Sequence, residues 1–220
     1  SFGSINWDED GNILFGEYMI GTEIWKGTSA KFLDNGTLGD GNIYKYSADL
    51  ELLESYDVEN APEPTAFKGV THSTLHPSGD FITYTTETAR RLMRYDLRNK
   101  QQMEDLDGYP DADPNDRTDK RWFIAPAYMP DGRLLCTVAQ GLRIYDASGK
   151  AVKDIELPGY GWAQVAPDVD NRYALAANVW TGMAARVDLD KGTITESIDV
   201  GFTAPHRSLA GLAVYAGQGA

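Results

Sequence analysis

The sequence predicts an all-β protein made of repeated four-stranded antiparallel sheets, and three observations support this fold class. Short apolar runs of strand length recur along all 220 residues, and turn signals of the Asp-Gly type separate them. The pattern of runs and turns repeats with a period of roughly 40 to 50 residues, which is typical of the repeated sheets of β-rich repeat proteins. No segment longer than about twelve residues keeps an apolar stripe at the helical period of 3.6 residues.

Residues 130–157 show one repeat most clearly, with the sequence PDGRLLCTVAQGLRIYDASGKAVKDIEL. A Pro-Asp-Gly turn precedes the strand-like run RLLCTVAQ, and a second run, LRIYD, follows it directly. The turn ASGK then leads into a third run, AVKDIEL, in which apolar and polar residues alternate. The preceding segment RWFIAPAYM supplies one more apolar strand. Four short strands joined by tight turns therefore form one antiparallel meander.

The same order of strands and turns recurs in residues 68–108 and 160–201, and in residues 3–19 followed by 42–58, with a long insertion between these last two. The third strands of the four meanders are anchored at Tyr46, Tyr95, Tyr145 and Val187. One meander cannot bury both of its faces alone, whereas sheets stacked around an axis cover each other. The sequence therefore predicts a β-propeller of four-stranded blades, as a single domain over residues 1–220.

The number of blades is less regular than the repeat itself. Four complete blades are visible, and the C-terminal RSLAGLAVYAGQ (Arg207–Gln218) supplies one or two further strands. We therefore expect five or six blades, with terminal strands that pair with each other, or a fragment of a larger propeller that a missing segment or a partner chain completes. The first residue is Ser1 rather than Met, which we interpret as the loss of an N-terminal piece.

Four turns are predicted to be equivalent, each joining strands one and two of a blade, because Gly and Asn tolerate the positive φ of a tight turn. They are Asp10-Gly11, Ser78-Gly79, Asp131-Gly132 and Asp170-Asn171.

Composition excludes several classes of function. The net charge of −13 and the pI near 4.6 repel phosphate backbones, so we expect no nucleic-acid partner. Apolar runs are too short for a membrane span or a signal peptide, so no membrane partner is expected. Cys136 is the single cysteine, which excludes an internal disulfide and a thiolate zinc cluster. Phosphate-binding loops and dinucleotide fingerprints are absent from the sequence, so we expect no nucleotide cofactor.

Two blade phrases, GLRIYDASGKAVKDIEL and ARVDLDKGTITESIDVG, resemble the repeats of YVTN-type and NHL-type propellers and of the gluconolactonase/regucalcin and strictosidine-synthase-like propellers. The phrases GNILFGEYM and HRSLAGLAVYAG look most like the gluconolactonase-like and lyase-like members. Gluconolactonase-like proteins hold a divalent cation, usually calcium, in the central channel through Glu, Asn and Asp side chains. The resemblance implies calcium or another divalent cation held by Glu17 in FGEYM and Asn178 in AANVW, with no counterpart for the Asp.

Loop lengths predict where a site would lie. The segments Ile20–Gly41 and Tyr109–Lys120 are long insertions in connections that open on one face of a propeller, and long loops on a rigid scaffold usually carry binding. Aligning the innermost strands by their turns places Ser4, His72, Ala125 and Trp162 near the channel mouth. The candidate acid/base residues are His72 and His206, and the candidate ligand-binding residues are Arg121, Trp122, Trp162 and Gln164.

Structural roles compete with each of these assignments. The tryptophans are also explained by packing between blades, and the histidines by ordinary hydrogen bonding. His76, just before Pro77, is read as a turn residue. Asp111, Asp113 and Asn115 have the spacing of a calcium loop, but the turn glycine and the closing glutamate of that loop are missing, which favours a solvated acidic loop.

Two functions therefore remain open. The first is a small-molecule hydrolase or lyase of the gluconolactonase-like type, acting on a lactone, ester or sugar-like substrate at the channel mouth. There, His72 and His206 would exchange protons, and a cation held by Glu17 would polarise the substrate carbonyl. The alternative is a non-catalytic propeller that binds a protein or a small ligand on its long-loop face.

Overall fold

The computed structural model describes residues 2–20, 42–59, 67–87, 89–109, 111, 118–119, 121–201 and 211–214. These residues form β-strands and turns without a helix, and consequently none of them belongs to a helix that could cross a membrane. The strands are β1 (Phe2–Trp7), β2 (Ile13–Ile20), β3 (Asn42–Tyr46), β4 (Leu52–Asp57), β5 (Phe67–Gly69), β6 (His72–Leu75), β7 (Phe81–Thr85), β8 (Leu92–Asp96), β9 (Gln101–Leu106), β10 (Phe123–Tyr128), β11 (Leu134–Val138), β12 (Gly141–Tyr145), β13 (Ala151–Glu156), β14 (Trp162–Pro167), β15 (Tyr173–Asn178), β16 (Met183–Asp188) and β17 (Thr193–Asp199).

The strands form four antiparallel sheets in which sequence neighbours pair in order. Blade 1 contains β1 to β4, with the short β5 paired to the far end of β2. Blade 2 contains β6 to β9, blade 3 contains β10 to β13, and blade 4 contains β14 to β17. This confirms the predicted all-β fold, with the four-stranded antiparallel blades of a β-propeller. The four predicted anchor residues each lie in the third strand of a blade.

The four predicted turns are equivalent, as expected. In each, the residue with positive φ lies between the first and second strands of its blade, and its N–H donates to the carbonyl oxygen three residues earlier. The φ angles are 79° at Gly11, 74° at Gly79, 86° at Gly132 and 59° at Asn171. Asn is among the few residues other than Gly that occupy this region at low cost, because its short polar side chain bonds locally.

The chain divides into two compact units, Ser1–Phe123 and Ile124–Ala220, and each has its own core. In the first unit, apolar side chains of blades 1 and 2 pack together: Leu14, Ile43, Tyr56, Val58, Val70, Ile82, Tyr84, Ala89, Met93 and Tyr95. In the second unit, the core joins blades 3 and 4: Met129, Leu135, Leu142, Ile144, Ile155, Leu157, Trp162, Ala174, Ala176, Ala185, Val187 and Leu189. Within a unit, each blade covers a face that its neighbour would otherwise expose.

Several expectations concern residues outside the described part of the chain. Of Arg207–Gln218, expected to supply closing strands, only residues 211–214 are described, and they do not form a strand. The segments Ile20–Gly41 and Tyr109–Lys120 lie largely outside the described residues, so their common face stays a prediction. The single domain over residues 1–220 also stays a prediction.

Candidate functional site

A cleft of about 210 Å³ opens between blades 1 and 2 of the first unit. Turns form its rim: the β1–β2 turn, the β6–β7 turn and the start of the β8–β9 turn all reach it. Because each of these turns joins strands one and two or strands three and four of its blade, they meet at the same end of the unit. The lining residues are Asp8, Glu9, Asp10, Leu14, Lys45, Tyr56, Leu75, Ser78, Gly79, Asp80, Leu97 and Arg98.

The floor of this cleft is the edge of the hydrophobic core. Leu14 and Tyr56 belong to the core of the first unit, and Leu75 and Leu97 pack against that core. Tyr56 is only 5% exposed, and its ring meets the ring of Tyr95 edge-on at 5.9 Å. Desolvation raises the pKa of Tyr56, so its hydroxyl keeps its proton at neutral pH. None of the described residues forms a hydrogen bond with this hydroxyl.

Charged side chains form the rim. The Lys45 ammonium lies 2.7 Å from the Asp8 carboxylate, and the Arg98 guanidinium donates to Asp80. Burial acts to raise the pKa of Asp8, but hydrogen bonds from Lys45 and from Asn12 outweigh it and lower that pKa. The same hydrogen bond, from Lys45 to Asp8, raises the pKa of the Lys45 ammonium group.

The remaining two carboxylates of the rim, those of Glu9 and Asp10, are exposed and form no ion pair with the described residues. Four carboxylates therefore stand against two cations, and the cleft carries surplus negative charge.

His76 supports the β6–β7 turn at the edge of the cleft. Its Nδ1 accepts a hydrogen bond from the Ser78 N–H at 3.1 Å and lies 2.8 Å from the Ser78 hydroxyl. Its ring stacks on Phe81 at 4.2 Å. Asp8 makes the same kind of contact in blade 1, where its Oδ1 accepts from the Asp10 N–H. His76 thus acts as a turn-capping residue, as the sequence indicated.

His72, a predicted acid/base residue, begins β6 at the opposite end of blade 2. Its Nδ1 lies 3.3 Å from the Thr71 hydroxyl, which donates to the Thr85 carbonyl oxygen and accepts from the Glu87 N–H. Desolvation lowers the pKa of His72 to about 4 and raises the pKa of the Glu87 carboxyl. At neutral pH the His72 imidazole is therefore uncharged and accepts a proton only weakly.

Glu17 and Asn178, the residues that the family resemblance assigned to a cation, have different surroundings. Glu17 lies in β2 of the first unit and is 1% exposed, and its Oε2 has no hydrogen-bond partner among the described residues. An unpaired carboxylate oxygen in the protein interior is costly, so this atom suits a cation or a hydrogen-bond donor.

Asn178 lies in the second unit, and its amide is committed to a turn. Its Nδ2 donates to the Tyr160 carbonyl oxygen at 2.9 Å, and its Oδ1 accepts from the N–H groups of Trp180 and Thr181. This oxygen does not fit a cation ligand, because both of its lone pairs are used. Among the described residues no three His, Cys, Asp or Glu side chains are grouped as metal ligands. Calcium typically takes six to eight oxygen ligands, so Glu17 alone does not make a calcium site, and the cation stays a prediction.

Arg121 organises the end of the long segment before β10. Its guanidinium binds the Asp119 carboxylate through Nε and Nη2, and the Asp111 carboxylate through Nη1 at 2.8 Å. Arg90 adds an ion pair to Asp119 at 3.4 Å and donates to the Arg121 carbonyl oxygen. The hydrogen bonds from Arg121 lower the pKa of Asp119 well below its usual range. To bind a ligand, Arg121 would have to exchange these carboxylates for it.

The other predicted ligand-binding residues are distributed over both units. Trp162 is completely buried in the core of the second unit and donates its Nε1–H to the Pro158 carbonyl oxygen at 3.1 Å. Gln164 is half-buried in β14, and Trp122 is half-buried before β10. The shared turn geometry aligns Gln164, rather than Trp162, with His72. Both Gln164 and His72 lie four residues before the residue whose carbonyl oxygen accepts the turn hydrogen bond. His206 lies outside the described residues.

Sequence reasoning missed the cleft because its parts are far apart along the chain. Asp8, Lys45, Tyr56 and Asp80 come from four different connections or strands. The equivalence of the turns was a usable signal, since turns of neighbouring blades fall at one end of the unit.

Comparison with known proteins supports the fold. No family model matches the chain, and no curated protein matches it. Among solved structures 1197 chains match, so the fold alone does not identify a function. One of them is hydrazine synthase of Kuenenia stuttgartiensis, with a TM-score of 0.63 and 13% identity, covering 90% of this chain and 49% of that chain. The chain thus spans about half the length of that structure. The resemblance to gluconolactonase-like, strictosidine-synthase-like, YVTN and NHL propellers stays a prediction.

Proposed function

We propose that this protein is a non-catalytic, ligand-binding β-propeller whose site is the cleft between blades 1 and 2. The observation that carries the proposal is the cleft itself, a space of about 210 Å³ in which charged side chains of the turns surround apolar side chains at the edge of the core. Convergent polar groups over an apolar floor are typical of small-molecule sites.

The contacts of the residues predicted for a site at the channel mouth favour the cleft over that site. Trp162 and Asn178 serve packing and turn geometry, and Arg121 is held between two carboxylates. The lowered pKa of His72 leaves its imidazole uncharged at neutral pH, so it lacks the second proton that a cationic general acid would donate.

A fragment titration followed by NMR tests this proposal. Small neutral, acidic and basic fragments are added to the ¹⁵N-labelled chain, and we expect saturable shifts of the amides in the two turns that hold Asp10 and Gly79. Leu97→Trp fills the cleft and should abolish these shifts. Leu53→Trp makes the same change at an exposed position outside the cleft and should leave them intact. The absence of saturable shifts, or their persistence in L97W, contradicts the proposal.

A hydrolase or lyase of the gluconolactonase-like type is the second candidate, with its site on the face of the two long segments. The surroundings of the Thr71 hydroxyl favour it, because this hydroxyl lies 3.3 Å from Nδ1 of the neutral His72 and accepts the backbone N–H of Glu87, a residue whose carboxyl has a raised pKa. In this candidate, His72 takes up a proton as general base, and the Glu17 carboxylate would be a ligand of a divalent cation. A non-catalytic propeller that binds a protein or a small ligand on the long-loop face stays a separate prediction.

Hydrolysis of δ-gluconolactone and of a phenyl ester, with and without calcium, tests the second candidate. Turnover is expected to fall in H72Q and to remain in L97W, and Glu17→Gln should remove any calcium dependence. Equal rates for H72Q and the unmodified protein, or rates that match the uncatalysed reaction, argue against it.

A further inference from the structure

We infer that copies of this chain associate head to tail, with one face of blade 4 packed against one face of blade 1 in a second copy. Within each unit, the forward face of the first blade packs against the back face of the second, and these names are kept for the equivalent faces of every blade. The proposed contact joins the forward face of blade 4 to the back face of blade 1. Its surfaces lie outside the cleft, so it does not depend on the proposed function.

Strand pairing shows which positions of the fourth strands belong to a forward face. The fourth strand of each of these blades pairs with the third, and the third with the second, in the same register when counted from the turn between strands one and two. The equivalent residues are Tyr56 and Val58 in blade 1, Ile155 and Leu157 in blade 3, and Ile198 and Val200 in blade 4. In blades 1 and 3 they are at most 5% exposed and belong to the core shared with the next blade. These are therefore positions that a neighbouring blade contacts.

The forward face of blade 4 exposes these same positions. Ile198 is 68% exposed and Val200 is 45% exposed. An ion pair of this face is repeated as well, because Arg186 lies 3.9 Å from Asp168, as Lys45 lies 2.7 Å from Asp8 on the forward face of blade 1. Blade 4 thus carries the features of a covered forward face, while its apolar residues stay accessible to a partner.

The back face of blade 1 is the other exposed half of an interface. Asn6 donates to the Ser73 hydroxyl of blade 2 at 2.8 Å, and the Ser4 hydroxyl lies 2.6 Å from the same group, so both residues are on the forward face. Successive side chains of a strand point to opposite faces. Ile5 and Trp7 are therefore on the back face, where they are 60% and 62% exposed.

The residues equivalent to Ile5 and Trp7 in other blades pack against a core. Counted back from the residue that begins the turn, Trp7 corresponds to Leu75 of blade 2, and Ile5 corresponds to Val165 of blade 4. Leu75 packs against the core of the first unit, and Val165 packs against the core of the second. Blade 1 thus presents large apolar side chains at positions that a preceding blade covers within each unit.

A second copy of the chain supplies what each exposed face lacks. A forward face and a back face are the two surfaces that pack together within each unit, so one copy carries both halves of the interface. Contacts between two different faces join copies into closed rings or open chains. Burial of the apolar side chains favours this association, whereas the net charge of −13 makes copies repel each other. Added salt screens the repulsion and should therefore strengthen the association.

Light scattering after size-exclusion chromatography tests the inference on the full chain over a range of protein and salt concentrations. We expect oligomers whose fraction grows with both concentrations. Trp7→Lys and Ile198→Lys should each weaken association by about tenfold or more, because each places a charge in the contact. The matched controls, Trp180→Lys and Val152→Lys, change exposed side chains of the same kinds outside both faces and should leave association unchanged. If a lysine variant has a lowered thermal midpoint, the serine variant at the same position replaces it.

Mixing the two variants distinguishes head-to-tail packing from other contacts. W7K keeps an intact forward face on blade 4, and I198K keeps an intact back face on blade 1. An equimolar mixture should therefore form complexes that neither variant forms alone, and a mixture without such complexes overturns the inference. Loss of association in W7K alone also overturns it, because two back faces would then pack together. A monomer under all conditions overturns it as well, and would mean that something other than a second copy covers these faces.

Discussion

Desolvation of the half-buried His72 should make the stability of the protein depend on pH, and replacement of this residue isolates the effect. Desolvation lowers the pKa of His72 from 6.5 to about 4 in the folded chain. In the unfolded chain the imidazole is solvated and titrates near its usual value of about 6.5. Between these two values the unfolded chain binds a proton at this position that the folded chain does not. Stability therefore falls as the pH falls through this window, and His72 costs nothing above it.

The size of the effect follows from the shift. Each pKa unit corresponds to ~1.36 kcal/mol, so the full shift is worth about 3 kcal/mol once the pH is well below both values. Between pH 7 and pH 4.5, most of the unfolded-state protonation takes place while the folded state remains mostly neutral, which gives roughly 2 kcal/mol. Carboxylates also titrate in this range, but they change the free energy of unfolding of the unmodified protein and of the variant alike. Their effect therefore cancels when the two proteins are compared.

Urea unfolding at pH 7 and at pH 4.5, for the unmodified protein and for His72→Gln, measures the difference. We expect the unmodified protein to lose roughly 2 kcal/mol more than H72Q on acidification. His76→Gln is the matched control, since it removes the other described histidine and leaves the His72 contribution in place. A His72 imidazole that titrates near pH 6.5 by NMR, or equal acid sensitivity of the unmodified protein and H72Q, would refute the account of its burial.

Three further predictions concern the fold. Gly16→Ala should destabilise the first unit by about 1–3 kcal/mol, because the added methyl would lie 2.4 Å from a hydroxyl oxygen on β1. In the control, Gly211→Ala, the added methyl meets nothing within 4 Å, so the thermal midpoint should not change. An unchanged midpoint for G16A would contradict the close packing at Gly16. Leu50 is 65% exposed with a φ of 63°, so Leu50→Gly should stabilise the β3–β4 turn by about 1 kcal/mol in urea unfolding; a loss of stability would count against backbone strain there. Arg121→Gln should raise the pKa of Asp119 toward its ordinary value, as read from the carboxyl carbon by NMR, and an unchanged Asp119 would mean that Arg121 does not hold it.

The repeated blade could be predicted from local sequence patterns. The turns at Gly11, Gly79, Gly132 and Asn171 were predictable because positive φ is a local property that few residue types tolerate. The strands between them follow from the alternation of apolar and polar residues over a few positions, and the anchors of the third strands follow from the repeat. Each of these signals is contained within one blade, so no knowledge of distant contacts was needed.

The roles of individual side chains depend on contacts that form only in the folded chain. Trp162 and Asn178 have residue types that suit a ligand site, but their neighbours commit them to a core and to a turn. The pKa of His72 depends on burial, which is set by parts of the chain far from it in sequence. The cleft likewise needs Asp8, on one blade, to meet the β6–β7 turn of the next. Contacts between blades depend on how the sheets pack, and a local sequence pattern does not encode which side chains that packing brings together.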